Sequence, residues 1–124
     1  MSADEIRVFE PQALLEGATP APVPVPIGDL ISMVRSAPIT NGPSIRYGAW
    51  ECSPGVWQRQ ITQAEFCFFI EGEAIFRPAD GAEPLRLSAG QAAFFPANSL
   101  GVWEILSRSR KVFIIFDAAE TDRA

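Results

Sequence analysis

Residues 65–72, Glu-Phe-Cys-Phe-Phe-Ile-Glu-Gly, form a short run of aromatic and apolar residues closed by a glycine. Successive side chains of a strand point to opposite sides, so Glu65, Cys67 and Phe69 share one face while Phe66, Phe68 and Ile70 share the other. Both faces are largely apolar. The same holds at 111–116 (KVFIIF), where Val112, Ile114 and Phe116 oppose Phe113 and Ile115. Strands without an obvious solvent side need cover, either from another part of the chain or from a second copy of it. A homodimer is therefore expected.

Working outward, further runs of the same kind stand at 45–51, 56–61, 73–77, 85–88, 91–95 and 101–106. Turn signals separate them: Ser53-Pro54-Gly55, Glu71-Gly72, Asp80-Gly81, Ala89-Gly90 and Pro96-Ala97-Asn98. This spacing predicts an all-β antiparallel sandwich, jelly roll or small barrel. Upstream, prolines at 20, 22, 24 and 26 remove alternate N–H donors, which suits an extended or polyproline II arm and excludes a helix interior. Positions 27, 30, 31 and 34 fit a helical stripe, but the stretch is short. The reading divides the chain into an N-terminal arm (1–43) packing on the barrel or a partner, a barrel (44–118) and a tail (119–124).

The 124 residues are enough for one domain. Apolar residues make up 48% and charged residues 20%, as in ordinary soluble proteins. Ten basic against fifteen acidic side chains give a formal charge of -5, with no basic run, which argues against nucleic acid and anionic membrane surfaces as partners. The acidic start does not read as a signal peptide, and no apolar run is long enough for a membrane helix, so a cytoplasmic location is expected. Cys52 and Cys67 are too few for a disulfide scaffold or a four-thiolate zinc site and read as packed, reduced thiols. The chain contains no histidine. Imidazole acid–base chemistry, His-activated nucleophiles and His-ligated metals are thereby excluded.

From about Arg46 to Phe116 the chain resembles the cupin superfamily. The first cupin motif ordinarily holds a Gly, an H-x-H pair, a Glu and a closing Gly, and here Gly55, Glu65 and Gly72 stand in the Gly, Glu and Gly places. In the second motif, Gly90, Pro96 and Asn98 match or approximate the pattern, and Gly101 stands where a His would be. A closer resemblance is to the branch related to the cupin domain of ureidoglycine aminohydrolase. It rests on Trp50-Glu51-Cys52-Ser53-Pro54-Gly55, Glu65-Phe66-Cys67, Gly101-Val102-Trp103-Glu104 and Arg110-Lys111. The resemblance implies a cupin double-stranded β-helix, a jelly-roll-like barrel, behind a Pro-rich arm. Of the usual metal ligands only Glu65 remains, Phe68 replaces a His of the branch, and its Gly-Asp strand start is Gly90-Gln91. No metal or other cofactor is expected. A hard cation on Glu65, with Gln63 and Glu104, would still lack oxygens.

Glu65 is the foremost candidate, because its parity and the resemblance together put it inside the barrel. Its functional reading is a general acid/base or ligand anchor; its structural reading is a carboxylate satisfied by Arg46, Arg59 or Tyr47. Glu104, with Val102 and Leu106 on its face, is expected to point inward near the mouth, as a second acid or as the partner of Lys111 or Arg110. Cys67, Gln63, Trp50 and Trp103 complete the candidate ligand site, with Trp57 as a further stacking surface. The expected function is a small-molecule-binding or accessory module. The alternatives are a metal-independent isomerase or lyase using Glu65 with Glu104, and a structural dimer whose barrel is filled by side chains.

Overall fold

In a computed structural model the described residues are 5–116. The tail at 119–124 lies outside them. The described residues form one short helix and eleven strands: α1 (Pro11–Glu16), β1 (Ala21–Pro22), β2 (Pro26–Ile27), β3 (Met33–Asn41), β4 (Ile45–Cys52), β5 (Gly55–Gln58), β6 (Ala64–Glu71), β7 (Glu73–Pro78), β8 (Leu85–Ser88), β9 (Ala92–Phe95), β10 (Gly101–Ile105) and β11 (Ser109–Phe116). Two antiparallel sheets result, ordered β1-β3-β4-β11-β6-β9 and β2-β5-β10-β7-β8. The fold is the expected all-β barrel. No helix among the described residues is long and apolar enough to cross a membrane.

The eight anticipated strands recur with small changes of boundary, and two elements differ from expectation. Residues 33–41 belong to the barrel as β3, paired along its length with β4 from Val34↔Cys52 to Asn41↔Ile45. Pro38 does not break this strand, because past Val34 the far side of β3 has no strand partner among the described residues and a sheet edge tolerates proline. Residues 33–41, read from sequence as part of the arm, thus pair into the larger sheet. The second difference is helical: the stripe at 27–34 is extended, and the helix lies instead at Pro11–Glu16, with Pro11 in its first turn.

The Pro-rich arm is a strap. β1 pairs with β3 of the larger sheet and β2 pairs with β5 of the smaller one, so residues 21–27 bridge the two sheets. Both pairings are two residues long, as alternate prolines dictate. Val23, between them, is buried in the core. α1 packs over the outer side of β3 and β4, burying Leu15 and Ala49.

Period-two alternation carries the core. β6 turns Glu65, Cys67 and Phe69 inward, β10 turns Gly101, Trp103 and Ile105 inward, and β11 turns Ser109, Lys111, Phe113 and Ile115 inward. One half of the interior is filled by aromatic rings: Phe76 meets Trp103 at 5.0 Å and Phe95 at 5.1 Å between ring centroids. Gly72 makes the sharp β6–β7 turn at φ 95°, where a Cβ would lie 2.6 Å from Ser109 Cα. A side chain there is excluded by backbone conformation and by space together.

Candidate functional site

Among the described residues the interior holds one ionic cluster. Glu65 is 1% exposed, and Arg59 and Lys111 are each 3% exposed. Arg59 Nη2 donates to Glu65 Oε1 at 2.8 Å, and Lys111 Nζ lies 2.9 Å from Glu65 Oε2. The Arg59 head is fixed further by Nη1, which donates to the carbonyls of Ile61 and Ser99 at 2.9 Å. Burial by itself pushes the Glu65 carboxyl up, but the Lys111 ammonium and the Arg59 guanidinium outweigh it and hold the group below the usual carboxylate range. Glu65 is therefore an anion at neutral pH.

Alternation explains how three charged groups converge in an apolar barrel. Arg59 continues the inward series Gly55, Trp57 beyond the end of β5. Lys111 continues the series Ile115, Phe113 toward the start of β11. Its Cα lies opposite Phe69, not Glu65, so the long side chain runs along the barrel to reach the carboxylate. The ammonium passes over the ring of Trp50 at 4.5 Å and near that of Trp103 at 5.6 Å, while the Arg59 guanidinium sits 4.4 Å over Phe95. These π faces stabilise cations that water does not reach.

Above the cluster is a cavity of about 390 Å³, walled by Trp50, Trp57 and Trp103, by Val34 and Ser36 of β3, by residues 21–24 of the strap with Thr19 before it, and by Gln60 and Ile61. Arg59 and Lys111 both contribute to its lining. The volume is within the range of small-ligand sites, and the composition, mostly apolar with a few polar groups, is of the same kind.

A barrel of two antiparallel sheets with Glu65 on an inward strand position and Gly72 closing the following turn is the frame of a cupin, and residues 42–113 match the EutQ-like cupin domain. The chain belongs to the EutQ-like cupin family. Among solved structures, it is similar to the EutQ protein of Clostridium difficile at 15% identity and a TM-score of 0.62, with 71% of each chain covered. A protein of unknown function from Pseudomonas syringae pv. tomato aligns at 21% identity and a TM-score of 0.67 over 79% of this chain, which spans 43% of that longer one. The polyketide cyclase RemF of Streptomyces resistomycificus aligns at 15% identity and 0.63, covering 90% of this chain and 79% of its own. At these identities the likeness is one of fold. No curated protein matches the chain.

Of the residues anticipated for this cupin's site, Glu65, Trp50 and Trp103 come together, whereas Glu104 does not join them. On β10 it is Gly101, Trp103 and Ile105 that face inward, and Glu104 lies on the outer side, bound to Arg77 Nη1 at 2.6 Å. The reason is packing: Trp103 stands opposite Trp57 and Phe76, and burying that ring outweighs burying Val102. Gln63 sits half-buried on the bend before β6 and does not line the cavity. Cys67 is fully buried, and burial raises its pKa, as it does for Cys52, pushed up to about 11. Both are packed thiols without activation. Lys111 was expected to pair with Glu104 if with anything. Its parity with Phe113 and Ile115 was the signal that places it inside.

Cupins of the usual kind hold a metal on the carboxylate that Glu65 represents, and the residues here do not fit one. Both oxygens of Glu65 are taken by cations of the protein itself. At Gly101, the position of the missing second-motif His, a Cβ would come within 2.6 Å of the Phe76 ring. Among the described residues no group of three or more Cys, Asp or Glu side chains is arranged for a metal. Arg59 and Lys111 supply the positive charge beside Glu65.

Proposed function

We propose that this cupin is a metal-independent small-molecule-binding module, its ligand held between the three tryptophans and the Arg59–Glu65–Lys111 cluster. The observation that carries the reading is the cavity: beside a half-barrel filled with rings, space persists where aromatic faces and two fixed cations converge. A purely structural core has no need of that space, and close packing would ordinarily close it. Acid–base catalysis is less well supported. A carboxylate held by two cations is a weak base and, being ionised, is no acid, and Glu104 is too far round the barrel wall to assist it.

The segments that resemble the ureidoglycine aminohydrolase branch have structural work here. Trp50 and Cys52 face inward, and Glu51 binds Arg35 and Arg110 on the outer side. We read kinship with that branch as one of frame, and hydrolysis of ureidoglycine is not part of the proposal.

Because all three tryptophans wall the cavity, a metabolite panel screened by intrinsic fluorescence should find compounds that change the emission saturably, with the response lost in Trp50→Ala. A panel that leaves emission and melting temperature unmoved would overturn the binding reading in favour of a filled, structural barrel.

We further infer that a second copy covers the outer face of β9, β6 and β11. Phe94, Phe66 and Phe68 are 59%, 42% and 38% exposed there, with Ile70 and Phe116 beside them. Along one end runs a ladder of alternating sign, Arg35, Glu51, Arg110, Glu71 and Arg108. An apolar centre with a polar rim is the anatomy of an interface, and alternating charges can face their own copy without net repulsion.

A further inference from the structure

We propose that the barrel's ligand is a small organic monoanion, a flat carboxylate with an aromatic body, its charge bound by Lys111 and Arg59 and its ring among the tryptophans. This rests on the binding reading above and adds the chemical class. The charge balance of the interior is the starting point. Among the described residues the buried charged ones are Arg59, Lys111 and Glu65, two cations and one anion. Of the other described acids on the barrel strands, Glu51, Glu71, Glu73 and Glu104 are tied to arginines, so none of these neutralises the remaining positive charge from within.

A buried net charge is costly unless a counter-ion meets it. Glu65 already meets both cations, one on each oxygen, and its single negative charge balances only one of them. The donors, by contrast, are not exhausted. Arg59 Nε is buried and has no hydrogen-bond partner. The Lys111 ammonium has three hydrogens, one of which serves Glu65 while the group rests on the faces of Trp50 and Trp103. Both residues line the tryptophan-walled cavity. A carboxylate offers two oxygens to two such cations and brings the interior to neutrality.

The rest of the cavity sets the body of the ligand. Its walls are largely three indoles, Val34 and Pro22 and Pro24 of the strap, which match a planar apolar group, and beyond Arg59 and Lys111 the lining offers no further cation to a second anionic group. A dianion would overshoot the balance as far as an empty cavity undershoots it.

Calorimetric titration of the full chain with benzoate and 2-naphthoate, each against its neutral amide, tests the class without any variant. The carboxylates are expected to bind roughly tenfold or more tightly than the amides, the contribution of charge-assisted hydrogen bonds. Lys111→Met should remove that preference. Amides that bind as tightly as the carboxylates would overturn the anion inference and leave the barrel-binding reading standing. Failure of all four probes, with a fluorescence panel in which only neutral or cationic compounds respond, would overturn the anion inference likewise; a panel in which nothing responds would overturn both.

Discussion

The two sides of β6 reverse the usual distribution of polarity. Inward stand Glu65, Cys67 and Phe69, with Glu65 joined to Lys111 and Arg59; outward stand Phe66, Phe68 and Ile70, each more than a third exposed. A carboxylate is inside and phenylalanines are outside, on alternate residues of one strand. The difference teaches that burial here follows function of the face and not hydrophobicity of the residue. The inner charges persist because Glu65 meets both cations across strands that alternation brings together. The outer rings persist because, on our reading, a second copy covers them.

The inner side is the more sensitive. Glu65→Leu leaves Arg59 and Lys111 buried without a counter-ion and should cost about 3–5 kcal/mol in denaturant unfolding. Adding Lys111→Met should recover part of that loss, since the double variant no longer buries two unpaired cations. A loss below about 1 kcal/mol in the single variant would mean that the π faces alone satisfy the cations. The same cluster sets an acid limit. A carboxyl whose folded pKa is depressed contributes stability that is present above its unfolded value, about 4.3, and lost as pH falls through the lowered folded value. Wild-type stability should therefore decline below about pH 4 more steeply than that of Glu65→Gln.

The outer side should respond in assembly before it responds in folding. Light scattering is expected to find a dimer, and the pair Phe66→Ser with Phe68→Ser should convert it to monomer while the isolated fold persists. A wild-type monomer at micromolar concentration would sink the interface. The smallest effect belongs to Glu104, whose half-exposed pair with Arg77 lies away from the cavity. Glu104→Gln should change stability by about 0–1 kcal/mol and leave ligand binding unaltered. A loss of binding in that variant would return Glu104 to the site.

Much of this was legible in the residues. The turn signals and the two-residue period located eight strands, and parity grouped Glu65 with Cys67 and Phe69. Lys111 was less legible than Glu65: it shares parity with Phe113 and Ile115, but Val112, Ile114 and Phe116 on the other face are as apolar, and no motif marked the lysine. Glu104 shows the converse. Parity yields two sets on β10 without saying which is inner, and Val102 with Leu106 looked as apolar as Trp103 with Ile105. β3 was hidden by Pro38, which a sheet-edge position makes harmless.

Sequence alone determined the all-β class, the frame of Glu65, Gly72, Gly90 and Pro96, and, through the missing histidines, which chemistries are closed to this chain. These depend on local conformation and on residue chemistry, which are properties of each segment. Tertiary structure decided that Arg59 and Lys111 meet on Glu65, that Phe76 fills the place beside Gly101, and that the Pro-rich arm straps the two sheets over a tryptophan-walled cavity. Those are encounters between residues far apart in the chain, and only the register of one strand against another fixes which side chains share an interior.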